Sequence, residues 1–335
     1  MNSPQNPPAY YKPLQPHSCR RASFHNYKAP CSYMITITKM PAAPIYSQLM
    51  GNPMDPQDPA RTELTPSGKI IETQITDLNS NPNFEIPNFV IMPDHIHIFW
   101  RVKYWLPKDL GHYVGLFKSR CTKIWRENNP NLPSVRDISL FNPKFNDRIA
   151  FTEELGVRMY NYITDNPRRR LMIIRYPHLF NKAQKIRILG HELDVFGNFQ
   201  LLKHPLLASA VVSSRYTSEE KAYYERAWEE AIRGAGVLIS PFISKSEKEL
   251  MKRILEEGGS IIRIVPDGIT PKYKPYGQEF ELCAQGRCLH IGIPRQSMHK
   301  EELYRDKCLR LNDLARWIAA HPAESISLIN ARNNH

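Results

Sequence analysis

The sequence has no cysteine pair at CxxC spacing, no apolar stretch of membrane length and no glycine-rich phosphate fingerprint. Its six cysteines, Cys19, Cys31, Cys121, Cys283, Cys288 and Cys308, are scattered along 335 residues. Scattered thiols argue against a disulfide framework and predict a reducing compartment, free thiols and no structural zinc site. The opening MNSPQNPPAYYKP lacks the apolar core of a signal peptide. No run approaches the roughly 20 apolar residues that a membrane helix needs. The expected location is therefore the cytoplasm, with no membrane partner. Gly234-Ala235-Gly236 precedes a predicted strand instead of following one, so it is not a dinucleotide fingerprint. No nucleotide cofactor is assigned, and no internal repeat is present.

Acidic residues are also scarce relative to basic ones: 33 Asp and Glu stand against 45 Lys and Arg, a formal charge of +12. That excess favours a polyanionic partner, of which nucleic acid is the commonest. Hydrophobic residues make up 41% and charged residues 23%, a globular composition. The length suits two domains, each able to bury its own core.

Residues 1–24 are rich in Pro, Asn and Ser and read as a disordered arm. Alternation predicts a strand over Ser32–Met40, a second over Lys69–Thr76 and a third over Asn88–Val102. The stretch from Pro41 to Gly68 reads as loop with one short helix. Leu110, Val114, Phe117, Cys121 and Trp125 recur at helical spacing within a predicted helix over Leu106–Asn128. A second helix is predicted over Thr152–Asn166, stopped by Pro167. This order predicts an α+β domain, an antiparallel sheet with helices on one face. A hairpin and linker over 186–206 lead to helices at Ser218–Arg233, Lys245–Glu257 and Leu309–Ala320, with strands at GVLISPFIS and SIIRIVPDG. Ser244 and Glu247 form a capping box. The second domain, 207–330, is therefore expected to be α/β.

Two patterns carry chemistry. On a strand, His95, His97 and Phe99 share one face while Ile96, Ile98 and Trp100 take the other. Imidazoles two residues apart on a strand lie roughly 7 Å apart at the backbone and can converge on a cation. The same pattern also fits two hydrogen-bonded surface histidines. On the second helix, Tyr162 and Asn166 are one turn apart and share a face, whereas Tyr160 points elsewhere. Tyrosines on a helix also serve as plain packing residues, and Asn166 before Pro167 fits a helix C-terminus.

Together these segments resemble a family. PDHIHIFW (Pro93–Trp100) and YITDNP (Tyr162–Pro167) look like the signatures of the HUH single-tyrosine transposases, the insertion-sequence 200/605-like superfamily. The likeness is closer to the REP-associated tyrosine transposases. Phe117-Lys118-Ser119 matches their FKS segment, FNDRIA (Phe145–Ala150) the stretch before the tyrosine helix, and SYMITITKM the opening strand. The resemblance spans about residues 20–185, and a nuclease domain over 25–185 follows from it. It implies a ferredoxin-like antiparallel sheet and a single-stranded DNA nuclease and strand transferase. In that scheme Tyr162 is the nucleophile, and His95, His97 and Asn166 hold Mg²⁺ or Mn²⁺. Where related enzymes use glutamine as third ligand, this chain offers the shorter Asn166. Asp94 alternates away from the histidine face and reads as a turn or supporting group; Asp147 has no assigned role.

The implied partner is single-stranded or hairpin DNA, which would make the protein nucleoid-associated, with a homodimer possible. Lys118, Arg120, Arg168, Arg169 and Arg170 are candidates for phosphate contacts; the three arginines equally fit a solvated helix end. Residues 204–325 faintly resemble the Rossmann-like domain of DNA-processing (DprA/Smf-type) proteins, through SPFISKSEKELMKRILEEGGSIIRIVPDG and CLRLNDLARWIA. Two competing readings are a non-catalytic DNA-structure-binding protein and a metal-dependent hydrolase that activates water.

Overall fold

The computed structural model describes residues 22–130, 138–213, 215–270, 273–294 and 304–333, so residues 1–21 of the expected arm lie outside it. The chain divides between Met172 and Ile173 into two compact units. That division comes earlier than the expected end of the first domain at 185.

In the first unit, β1 (Cys31–Thr38) is followed by a two-stranded ribbon of β2 (Ser47–Met50) and β3 (Arg61–Leu64). Then come α1 (Pro66–Asn79), β4 (Phe84–Ile91), β5 (His95–Val102), α2 (Leu110–Glu127), β6 (Asn146–Ala150) and α3 (Glu153–Arg175). The main sheet runs β4-β5-β1-β6 with every neighbour antiparallel. Setting the ribbon aside, the order is βαββαβ, the split βαβ arrangement of ferredoxin-like sheets.

Several elements differ from the sequence reading. Lys69–Thr76 is helix, not strand. Thr65 caps α1 by accepting from the Gly68 amide, Pro66 opens its first turn, and Ile71 and Ile75, one turn apart, are buried. The buried set Ser67, Gly68, Ile71, Gln74 and Ile75 recurs at three and four residues, a helical period that strand alternation does not give. The long strand Asn88–Val102 is a hairpin, because Pro93 cannot donate to a ladder and Met92 N–H instead reaches the His95 carbonyl at 2.9 Å. The stretch 41–68 carries the ribbon in place of a short helix before α1. Pro167 does not end α3, which continues to Arg175 and buries Leu171 and Met172 beyond it. Burial of that face outweighs the missing backbone donor.

The helices do not share one face. Ile35, Ile37, Ile96, Ile98 and Trp100 form one core with Leu110, Val114 and Phe117 of α2 and Ile71 and Ile75 of α1. Met159 and Ile163 of α3 pack on the opposite face, against Met34, Val90 and Phe99. Complete burial of each such side chain stabilises the unit by about 1.5–3 kcal/mol. The sheet is thus sandwiched, and the histidine face is the one α3 covers.

The second unit contains β7 (Asn181–Ile188), β8 (His191–Gly197), β9 (Leu207–Ser209), α4 (Ser218–Arg233), β10 (Val237–Ser240), α5 (Lys245–Glu256) and β11 (Ser260–Ile264). It closes with α6 (Gln278–Ala284), β12 (Cys288–Gly292), α7 (Tyr304–Ala320) and α8 (Pro322–Asn333). Its sheet runs β7-β8-β12-β11-β10-β9, with β9 to β12 parallel and β8 antiparallel to both its neighbours. The hairpin expected to lead into a linker is therefore an integral edge of this sheet. Ser244 and Glu247 form the anticipated capping box. The parallel strands follow sequence order, so they contain no reversal of the kind that opens a nucleotide crevice. No helix among the described residues is long and apolar enough to cross a membrane.

Candidate metal and nucleophile site

Pairing sets the rows of the sheet. Thr36 of β1 lies opposite His97 of β5 and Asn146 of β6, and Thr38 lies opposite His95. Because side chains alternate, these residues share the face covered by α3. The rings of His95 and His97 stand 4.7 Å apart, centroid to centroid. His97 is 6% exposed, and the His95 side chain 22%.

Both imidazoles are held through Nδ1. His95 Nδ1 donates to the Asp94 carboxylate at 2.7 Å, which fixes the Nδ1–H tautomer and keeps the Nε2 lone pair for a ligand. His97 Nδ1 is hydrogen-bonded to the Thr36 hydroxyl at 2.8 Å. Metal-binding histidines are oriented in this manner by a second polar group. The Asp94 carboxyl is held well below the usual carboxylate range, at about 2, chiefly by its hydrogen bond from His95. Burial opposes that shift, and the charge of Arg170 adds to it.

Helix α3 brings the phenol. The Tyr162 ring lies 5.5 Å from that of His97, edge-on at 68°. One turn further, Asn166 is 6% exposed, and among the described residues no hydrogen bond to its carboxamide is found. The Arg169 guanidinium, a further turn along, sits over the Tyr162 ring at 5.5 Å from its centroid. Tyr160 is 41% exposed and its ring contacts Phe99 instead, 6.4 Å away. Asn88 of β4 clamps the helix to the sheet, donating to the Tyr160 carbonyl at 3.0 Å and to the Thr164 hydroxyl at 2.8 Å.

The basic candidates fall in different settings. Arg168 makes a bidentate pair with Asp165, at 2.5 and 3.1 Å, and lies within α3, not after it. Arg170 is exposed on the same helix, near Asp94. Lys118 and Arg120 belong to α2, across the sheet from the histidines. Arg120 is exposed, but the Lys118 ammonium donates to the carbonyls of Asn142 at 2.6 Å and Pro143 at 2.8 Å, and burial lowers its pKa. Asp147 pairs with Ile35 and so faces away from the histidines, accepting from the Tyr27 hydroxyl at 2.6 Å.

Sequence reasoning missed Thr36, Asn88, Asn146 and the placement of Arg169 over Tyr162. The Arg169 contact had a signal in the seven-residue spacing on one helix. Thr36 and Asn146 depend on strand pairing and Asn88 on the packing of α3 against β4, neither of which one strand's alternation reveals.

No family model matches the sequence, and no curated protein matches it. Among solved structures, a REP-associated tyrosine transposase bound to a REP hairpin aligns at 16% identity and a TM-score of 0.30, covering 44% of this chain and 72% of that one. A Deinococcus radiodurans R1 protein assigned as a transposase aligns at 12% identity and a TM-score of 0.28, covering 42% of this chain and 94% of that one.

Proposed function

We propose that the chain is a metal-dependent endonuclease and strand transferase for single-stranded DNA, acting at hairpin or palindromic-repeat DNA with Tyr162 as nucleophile. The observation that carries this reading is a phenol beside two tethered imidazoles, with a buried carboxamide one helical turn away. The basic charge and the resemblance of PDHIHIFW and YITDNP to the HUH single-tyrosine transposases support the same substrate class.

His95, His97 and Asn166 would hold the ion. The donor set fits one: the imidazoles are anchored through Nδ1, and Asn166 is a largely buried amide one helical turn from Tyr162. Imidazole and amide donors suit Mn²⁺ better than Mg²⁺. When bound, such an ion supplies Lewis acidity to a phosphate oxygen.

The chain's own residues do the rest. Tyr162 Oη attacks phosphorus; the Oη–P bond forms, the P–O3′ bond breaks, the phenol gives up its proton and the leaving oxygen departs as a 3′-OH. The product is a 5′-phosphotyrosyl link, which a second 3′-OH reverses without ATP because the phosphodiester energy is kept. Arg169, stacked over the ring, holds a cation beside the reacting phenol. Arg170 and Arg120 are the exposed positions offered to the DNA backbone.

The test is incubation with end-labelled single-stranded hairpin DNA and Mn²⁺, followed by denaturing gel analysis. A covalent protein–DNA adduct is expected. Tight binding without cleavage across varied flanking sequences would instead favour a non-catalytic DNA-structure-binding protein.

A further inference from the structure

The second unit brings together residues that the sequence keeps apart. Cys288 and His290 lie two apart on β12 and share one face of the strand, while Leu289 and Ile291 enter the core formed with Leu311, Leu314 and Ile318 of α7. Cys283, near the end of α6, meets them on the cysteine face. The three donor atoms, two thiol sulfurs and one imidazole nitrogen, lie within 4.8 Å of one another. All three side chains are fully buried.

The geometry points to a thiophilic metal site of the Zn²⁺ class formed by Cys283, Cys288 and His290. Thiolate and imidazole are the donors Zn²⁺ prefers, and three protein ligands are enough to retain it with one position left for another group. The imidazole is preset for the task. The Tyr273 hydroxyl is hydrogen-bonded to His290 Nδ1 at 2.7 Å, and His290 Nε2 faces Cys288 Sγ at 3.0 Å. That is the arrangement by which an outer group fixes a ligating histidine.

Local charge is compatible with the assignment. Arg263 is the strand neighbour of His290, and its guanidinium is ion-paired with Glu279 of α6. Two thiolates would then balance a divalent ion beside an already neutralised pair. The CxxC criterion does not find this set because the donors come from a helix end and a strand start, with the turn at Gln285–Arg287 between them. The site shares no residue with the Tyr162 centre, and neither proposal depends on the other.

The test uses the full chain, purified under reducing, anaerobic conditions from zinc-supplemented cells. Elemental analysis should find one Zn²⁺ per chain. Replacement by Co²⁺ should give thiolate-to-cobalt charge-transfer absorption and the intense visible bands of a four-coordinate ion. The signal should persist in His95→Ala/His97→Ala and in Cys31→Ser/Cys308→Ser, and be lost in Cys283→Ser/Cys288→Ser. Tyr273→Phe, which keeps the ring, should weaken Zn²⁺ affinity by roughly tenfold or more. Absence of the charge-transfer band in the wild type overturns the assignment. So does a signal that survives loss of Cys283 and Cys288, or a Cys283–Cys288 disulfide in place of bound metal. Should the double cysteine variant fail to fold, the wild-type and Cys31→Ser/Cys308→Ser spectra still decide.

Discussion

Tyr162 and His97 come from different layers of the first unit, yet their rings meet 5.5 Å apart, edge-on. His97 is fixed by its strand and by Thr36; Tyr162 is fixed by α3, which Asn88 pins to the same sheet. The first prediction follows from that pairing. Tyr162→Phe should retain DNA binding and lower covalent adduct formation by roughly 10³-fold or more, as expected when a nucleophile is removed. Tyr160→Phe should leave adduct formation close to wild type, because that ring turns toward Phe99. An adduct lost in Tyr160→Phe and kept in Tyr162→Phe would reverse the assignment.

The tethers behind the histidines give the second prediction. Thr36→Val keeps the shape of the side chain and removes the hydroxyl bonded to His97; Asp94→Asn removes the carboxylate that orients His95. Each should weaken Mn²⁺ binding by about 10–100-fold with little change in thermal stability. Isothermal titration of the two variants against wild type measures this. Unchanged Mn²⁺ affinity in both would mean that the histidines do not hold the ion.

Much of this centre was legible in the sequence because its parts are local. The alternation of His95 and His97, and the one-turn spacing of Tyr162 and Asn166, follow from strand and helix periods alone. The structure brings these two pairs to one face of the sheet. What the sequence could not supply was pairing. Thr36 becomes a partner of His97 only when β1 lies beside β5, and nothing in SYMITITKM states that neighbour. Lys69–Thr76 was misread for a related reason: a short apolar run fits both periods, and the cap at Thr65 with Pro66 decides for helix. The Cys283, Cys288 and His290 cluster was hidden because its donors sit on two elements whose packing is not written in their spacing.

Lys118 and Arg120 differ in setting: one ammonium is tied to loop carbonyls and the other cation is exposed. Lys118 donates to two loop carbonyls, so Lys118→Met should cost roughly 1.5–3 kcal/mol of stability, read as a lower Tm or denaturant midpoint. Arg120 is exposed on α2, so Arg120→Ala should leave stability within about 0.5 kcal/mol. If Arg120 touches a phosphate, that variant should reduce the slope of log affinity against log salt by about 0.7 on single-stranded DNA. A salt slope that changes in Lys118→Met but not in Arg120→Ala would exchange the two roles.

The last prediction concerns which chain supplies the phenol. The rings of His95 and His97, and of His97 and Tyr162, are neighbours within one chain, and Asn166 lies one helical turn beyond Tyr162. A chain carrying Tyr162→Phe keeps its histidines, and one carrying His95→Ala/His97→Ala keeps its phenol. If each chain completes its own centre, every chain in a mixture of the two variants holds a broken one, and mixing should restore no adduct. If partners exchange α3, mixed dimers would join an intact phenol to intact histidines, and about a quarter of all centres would recover at equal mixing, by the statistics of random pairing. Adduct yield measured across mixing ratios distinguishes a flat line from a curve with its maximum at equal proportions. The flat line is the expected result, and the curve would require α3 to leave the sheet face on which it packs here.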